Sequence, residues 1–505
     1  MHRPRLVGHW LSIAFMAATC AVLRVPAHGA TVDELKALSG TTWYTVSFLD
    51  QRAGWACSEA TVENAADGPR LRVVERMEAQ IRLAGSQDTL KLSSEILCVY
   101  DADLRPVETR MRNDEFGRVR EVVGTLQGTK WEVVTRAGGE EVRQTLDLPP
   151  RFGSELEPTL MILRGQIKVG DRFELDVFNP ELAAVDHHVV EVVERTQLDG
   201  RPVWKLKSTA TLVPVETDTW VADDGTAVMS TTTTLLKLTL KQATEQEALA
   251  AAAPLVLGSR ISANKRIEDF RGLNMLKLRI VNRGKPVDGL VTPCDRQTVE
   301  RDGDALIVTI RRISFDGPTA QLPIQDPAFA EYLQPSELAQ IQDPEIIKRA
   351  RAIIGTETDA RLAAEKIVRW VFRNMDKVSS EPRLVSAREI LNDLRGDCTE
   401  HAILCGTLCA AVGIPARMVT GIAYARGAFY YHAWNELYVG KWVEMDATWG
   451  ETAVGAGHVR MASGPLTTVA LANLALQVAR TLGTLEVQIL DFAVRGGGWQ
   501  VVPEN

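Results

Sequence analysis

Hydrophobic and polar residues alternate along most of residues 41–250. Trp43–Leu49 and Trp55–Val62 flank a turn at Gln51–Gly54, and Leu71–Leu83, Leu90–Tyr100, Val107–Met111 and Trp131–Thr135 keep the period of two. Arg172–Phe178, His188–Val193 and Val203–Leu212 follow, then a hairpin turning at Asp223-Asp224-Gly225. The pattern predicts a long antiparallel meander, a curved sheet or half-barrel over residues 31–250, with one short helix near Glu155–Leu163. Glu245–Pro254 (EQEALAAAAP) reads as a low-complexity hinge and marks the main domain boundary. Residues 251–325 read as a linker and a small β segment, with strands at Leu276–Ile280 and Ala305–Ile310.

After Pro323 the period becomes helical. Asp343-Pro344 is an N-cap followed by proline at the first helical position, and Gly355 ends that helix. Thr358 is placed to cap a second helix with Ile367, Trp370 and Val371 on one face. Ser386 and Glu389 form a capping box for a third. Gly396 then breaks the chain, and Asp397 caps a helix through Ala402, Leu404, Leu408 and Ala411 that stops at Gly413 before Pro415. Two strands follow, Tyr430–Leu437 and Lys441–Thr448, joined at Tyr438-Val439-Gly440. A three-residue loop of this kind sets Leu437 opposite Lys441 and His432 opposite Asp446. The core is expected at residues 326–460. A tail at 461–505 carries a helix, Leu466–Leu482, and a strand, Leu485–Phe492. The fold class is α+β, a core preceded by a large, mostly antiparallel β region.

Candidate chemistry concentrates in residues 395–450. Cys398 falls in the first turn of its helix, where free backbone N–H groups favour a thiolate and can hold an oxyanion. His432 and Asp446, opposed across the two strands, would sit on one face roughly 5 Å apart at Cβ. The carboxylate can then hold one imidazole nitrogen and leave the other for Cys398, giving a nucleophile, a base and an orienting group.

This stretch resembles the transglutaminase-like superfamily, whose core is papain-like. The resemblance is carried by Gly396-Asp397-Cys398-Thr399-Glu400-His401-Ala402, Gly413-Ile414-Pro415-Ala416-Arg417, His432-Ala433-Trp434 with Glu436, Trp442-Val443 and Asp446-Ala447-Thr448. It covers about residues 340–460. It implies a nucleophile at Cys398, a base at His432 and an orienter at Asp446, with His401 in a supporting role. It also suggests Asn392 or the Trp370 indole as a second oxyanion donor. The implied activity is that of a cysteine peptidase, an amidase or a protein-glutamine acyltransferase. An acyl-enzyme would form on a protein or peptide substrate and be resolved by water or by an amine. Some members have lost activity, so the rival is a catalytically silent envelope scaffold or binding protein. A third possibility is that residues 30–330 cover the cleft until maturation. His458 lies outside the motif and receives no chemistry.

Composition narrows the setting. The 505 residues are 45% hydrophobic and 24% charged, ordinary for a soluble globular protein. Arg3 and Arg5 precede a short apolar run, Leu11–Leu23, and Ala27-His28-Gly29 offers a cleavage site. Residues 1–29 therefore read as a signal peptide, and the protein as periplasmic or extracellular. An uncleaved anchor is the alternative, and no other stretch is long enough to span a membrane. Cleavage removes three arginines and no acid, taking the formal charge from −8 to −11. No basic cluster points to nucleic acid, and a cell-envelope protein or peptide is the expected partner. No cofactor is indicated, since no calcium-loop motif is present. Cys398, His401, Cys405 and Cys409 resemble metal ligands, but eleven helical residues span roughly 16 Å, too far for one ion. Cys405 and Cys409 are expected in the core. Cys57 and Cys98 are the best candidate disulfide pair, with two separate thiols equally open.

Overall fold

A computed structural model describes residues 30–501 apart from 67, 84–88, 116–117, 138–139, 151, 154–155, 233–236, 258–259, 314–316, 379–384 and 497–499. The targeting segment read at residues 1–29 lies outside the described residues. The chain divides after Leu257 into two compact units. Among the described residues no helix is long and apolar enough to cross a membrane.

The first unit is built on one 15-stranded sheet. Gly40–Phe48 and Leu238–Ala243 pair antiparallel near its middle. The chain meanders outward on both sides, to Glu140–Asp147 at one end and Arg172–Asn179 at the other. The period of two does what it predicts: in Lys130–Ala137, Trp131, Val133 and Thr135 turn inward. Gly124 on the adjacent strand makes room for Trp131, because a Cβ there would lie 2.1 Å from the indole nitrogen. Trp131 packs on Phe152 and Phe178, with centroids 5.4 Å away in each case. A bridge from Phe152 to Asp176, and a bond from Gln144 Nε2 to the Ala183 carbonyl at 2.6 Å, tie the two ends of the sheet. The short helix is Glu157–Leu163. The alanine-rich stretch opens with a one-turn helix, Glu245–Leu249, capped by Thr244 and Glu247. Beyond it, Leu255–Leu257 still pairs with the Gly68–Leu83 strand, so the first unit runs past residue 250.

Of the two readings left open for Cys57 and Cys98, the structure has the separate thiols. Cys57 lies opposite Arg76 and Cys98 opposite Val73, on the strand that runs between them. Two strand spacings of ~4.8 Å, plus an offset along the strand, exceed the ~7 Å Cα separation that a disulfide tolerates. Both are free thiols.

The second unit contains β1 (Arg260–Ser262), β2 (Leu273–Asn282), β3 (Gln297–Asp302) and β4 (Ala305–Arg311). Four helices follow: α1 (Pro344–Ile354), α2 (Ala360–Asn374), α3 (Ala387–Asp393) and α4 (Cys398–Ala411). Then come β5 (Ala416–Ala425), β6 (Ala428–Tyr438), β7 (Trp442–Met445), β8 (His458–Gly464), α5 (Thr468–Ala479) and β9 (Leu485–Val494). One sheet runs β1-β6-β5-β8, with β7 also on β6, and a second runs β3-β4-β2-β9. Helix α4 is apolar on every side and is buried between α1, α2 and α3 and the strands β5 and β6. Cys405 and Cys409 are fully buried in that core. The N-cap of α2 is Asp359, which accepts from Leu362 N, rather than Thr358.

Two expectations are corrected here. Residues 461–505 are not an appended tail: α5 packs on β5 and β8, and β9 pairs antiparallel with β2. The β6–β7 hairpin also has a different register, with Leu437 opposite Val443 and Glu436 opposite Glu444. The turn is Val439-Gly440-Lys441, with Gly440 at φ 113°. A Cβ on Gly440 would lie 2.6 Å from the Pro318 carbonyl. The Ala320 amide donates to the Val439 carbonyl at 3.0 Å. A segment more than a hundred residues upstream therefore fixes the turn, and no local pattern reports it.

Candidate functional site

Cys398 is the first residue of α4. The Asp397 side chain accepts from Thr399 N at 2.7 Å, and Glu400 Oε2 accepts from Asp397 N at 2.7 Å, closing a capping box. Gly396 is required beneath it, since a Cβ there would lie 2.4 Å from Glu400 Cβ. Strand β6 pairs along one edge with β5. Along its other edge it pairs with β1 only as far as Tyr430 and with β7 only from Asn435. The thiol sits at this gap, where the Ala433 amide donates to the Cys398 sulfur. Asn435 anchors the helix to the strand by donating to the Ala402 carbonyl at 3.0 Å.

His432 Nε2 lies 2.8 Å from Asp446 Oδ2. Because β7 ends at Met445, Asp446 is outside the ladder and forms an isolated bridge with Glu451. In the corrected register Asp446 is a diagonal neighbour of His432, still on the same face and within reach. Oδ1 accepts from the amides of Thr448 and Trp449 at 2.7 and 3.2 Å. His458 Nε2 approaches Oδ2 at 3.1 Å. A carboxylate only accepts, so both imidazoles present Nε2–H to it. Neutral His432 then has a bare Nδ1. The Trp449 indole stacks on the His432 ring at 5.0 Å.

Burial alone would raise the Asp446 carboxyl, but the two imidazoles hold it well below the usual carboxylate range. Burial and the adjacent Asp397 push the Cys398 thiol well above the usual thiol range, and the Ala433 amide offsets this only in part. The resting nucleophile is thus the neutral thiol rather than the thiolate its helix position suggested. Cys398 is 5% exposed, His432 6% and Asp446 0%. The ligand atoms of His432, Asp446 and His458 lie within 4.8 Å of one another. The 2.8 and 3.1 Å separations are hydrogen-bond lengths, shorter than the ~3.4 Å between ligands of a tetrahedral zinc. The set as it stands is held by hydrogen bonds.

Residues 347–447 match the family model of the transglutaminase-like superfamily. The chain carries a transglutaminase-like domain. Among solved structures, the chain is similar to a protein from Cytophaga hutchinsonii provisionally named a cysteine protease. The identity is 17%, the match covers 46% of this chain and 89% of that one, and the TM-score is 0.28. A beta-barrel-like protein from Brucella abortus, of a domain of unknown function, matches at 14% identity, over 40% and 94% of the two chains, with a TM-score of 0.29. A provisionally named protease from Parabacteroides distasonis matches at 12% identity, over 77% and 66%, with a TM-score of 0.20. No curated protein matches the chain by sequence.

Around the transglutaminase-like site, the other predicted residues fall unevenly. Asn392 is exposed on α3 and makes no hydrogen bond to the site among the described residues. Trp370 lies on α2, where the Arg349 guanidinium of α1 lies over its ring at 5.2 Å. Trp370 also packs against the core that contains Cys398. His401 is fully buried, and its Nδ1–H donates to the Asp397 carbonyl at 2.6 Å. Burial lowers it to about 4, so it is a neutral brace for the first turn of α4.

Sequence reading missed the layer behind Asp446. The Trp434 indole donates to Glu444 Oε2 at 2.9 Å, and Arg296 Nε donates to the same oxygen at 3.2 Å. Arg296 Nη2 donates to the His458 carbonyl at 2.7 Å. Burial would raise Glu444, but Arg296 and Arg460 hold it below the usual carboxylate range. Arg296 lies 150 residues before Asp446 with no motif around it, so nothing in the sequence could have found it. A cavity of 490 Å³ opens beside this layer, lined by Arg296, Arg417, Arg460, Glu436 and Trp442. Cys398 is not among its lining residues.

The raised thiol makes a prediction. A free cysteine titrates near 8.5 and is a few per cent thiolate at pH 7. Iodoacetamide labelling of Cys398 is expected to be slower than that at pH 7 and still climbing above pH 9. Peptide mass spectrometry reads it, and a plateau below pH 8 would mean a preformed thiolate–imidazolium pair instead.

Proposed function

We propose that the second unit is an exported thiol enzyme acting on amide bonds of protein or peptide substrates, with Cys398 as nucleophile, His432 as base and Asp446 as orienter. One observation carries the reading. The Nε2–H of His432 is committed to a buried carboxylate, leaving Nδ1 as a base in the domain whose helix α4 opens on Cys398.

The chemistry follows from the protonation states. Because the resting thiol is neutral, His432 Nδ1 takes its proton as the sulfur attacks the carbonyl carbon. Asp446 stabilises the imidazolium that forms, and with the Thr399 and Glu400 amides taken by the Asp397 cap, the Cys398 N–H is the first-turn donor left for the developing oxyanion. His432 then returns the proton to the leaving amine, and a thioester remains on Cys398. Water or a second amine releases the acyl group. The segment 1–29 supports export, which puts the substrate in the cell envelope or outside the cell.

The test uses the mature chain and a glutamine-containing peptide, with and without a primary amine. A transient acyl adduct on Cys398 is expected by intact mass, together with an acid product, or an amine-bearing product when amine is present. Turnover that persists in Cys398→Ala would exclude this assignment. Peptide binding without adduct or turnover in the wild type would favour the scaffold reading.

A further inference from the structure

Asp446 serves two imidazoles with one oxygen. His432 and His458 both direct Nε2–H at Oδ2, at 2.8 and 3.1 Å, while two backbone amides fill Oδ1. His458 is 1% exposed and is fixed from three sides. Arg296 holds its carbonyl at 2.7 Å. The rings of Trp449 and Trp434 meet its ring at 4.8 and 5.2 Å. A buried histidine fixed this closely is an expensive way to fill space, because its donor must be matched.

We propose that His458 is a positioning residue that locks Asp446 and divides its hydrogen-bonding capacity, so that Asp446 favours the imidazolium of His432 less than it would alone. A carboxylate oxygen that already accepts one strong N–H stabilises a second, charged donor less. With His458 present, Asp446 holds the His432 ring in place and favours its imidazolium less than it would alone. Without it, Asp446 turns wholly to His432 and the imidazolium gains. The inference rests on the reading of His432 as the base for Cys398.

Other charged groups also face this pair. Asp397 caps α4, Cys398, Glu400 and His401 belong to it, Lys377 to the segment before α3, Glu444 to β7 and Arg296 to the residues before β3. Of these, Glu444 also feels His458 directly, and both replacements remove that charge alike, so comparing them isolates the one donor.

The experiment compares His458→Phe, which keeps a ring without a donor, with His458→Gln, which keeps an N–H. In a Cys398→Ala background, the His432 ring of the full mature chain is titrated by NMR with ¹⁵N-labelled histidine. The His432 midpoint is expected to rise by about one pH unit in His458→Phe and to stay near the parent value in His458→Gln. With Cys398 restored, iodoacetamide labelling at pH 7 is expected to be about tenfold faster in His458→Phe. A purely structural role would not raise reactivity in one variant and spare the other. An unmoved or lowered His432 midpoint in folded His458→Phe overturns the proposal, as does an equal shift in both variants. A raised midpoint with unchanged labelling keeps the shared carboxylate and instead rejects His432 as the base for Cys398.

Discussion

Asp446→Asn is expected to lower acylation of Cys398 about 10⁴-fold while leaving the fold in place. The loss comes from donors meeting donors. Asp446 accepts four hydrogen bonds, two from imidazoles and two from amides. An asparagine has only one acceptor oxygen. If that oxygen serves Thr448 and Trp449, its NH₂ faces two Nε2–H groups, and His432 escapes by moving its proton to Nδ1. That tautomer has no lone pair for the thiol. If the oxygen instead serves the histidines, the NH₂ confronts two backbone amides. Single-turnover acylation with an activated ester, read as adduct mass on Cys398, measures the effect. An Asp446→Asn protein that acylates within tenfold of wild type would remove Asp446 from the mechanism.

The second large effect is on stability. Arg296→Met is expected to cost about 3–5 kcal/mol, the usual result of removing one member of a buried ion pair. Arg296 and Glu444 have side chains 7% and 3% exposed and lie 3.2 Å apart. Methionine fills the volume but leaves Glu444 facing an indole N–H and the more distant Arg460. The sign with pH is fixed by Glu444, which is held below the usual carboxylate range. The pair contributes fully above the unfolded carboxylate value near 4.3 and is lost as pH falls through the lower folded value. The gap between wild type and variant should therefore narrow on acidification. Urea unfolding resolves this as a shift in the transition of the second unit, and a loss under about 1 kcal/mol would mean that Glu444 finds another partner.

The site was legible where its signals are local. Asp397, Glu400 and Gly396 announce the start of α4 within five residues, and the structure caps the helix with these groups. The alternation across residues 41–250 is likewise local, and the first unit is the antiparallel sheet it implies. What failed depends on distant chain. The β6–β7 register is set by Pro318–Ala320 closing over Gly440, and a hairpin rule sees neither. Parity survived the error, since a shift of two residues keeps Asp446 on the face of His432. The thiol's charge state was misjudged because the helix N-terminus is visible in sequence, whereas burial and the facing carboxylates are not. Asn392 and Trp370 came from analogy; Asn392 is exposed on α3, and Trp370 packs against the core that contains Cys398. His458 looked idle because its partner is defined by three-dimensional convergence on one oxygen.

The pairing of β9 with β2 also bears on how the protein is made. β2 lies between β4, which follows it closely, and β9, which is synthesised about two hundred residues later. Until Leu485–Val494 leaves the ribosome, one edge of β2 has no partner, and its unpaired amides and carbonyls stand open to neighbouring chains. Pairings this distant in sequence also slow folding. A chain truncated before Leu485 would keep every residue of the candidate site, yet be left with an adhesive edge. Leu485–Val494 must be made before the second unit can close its sheet.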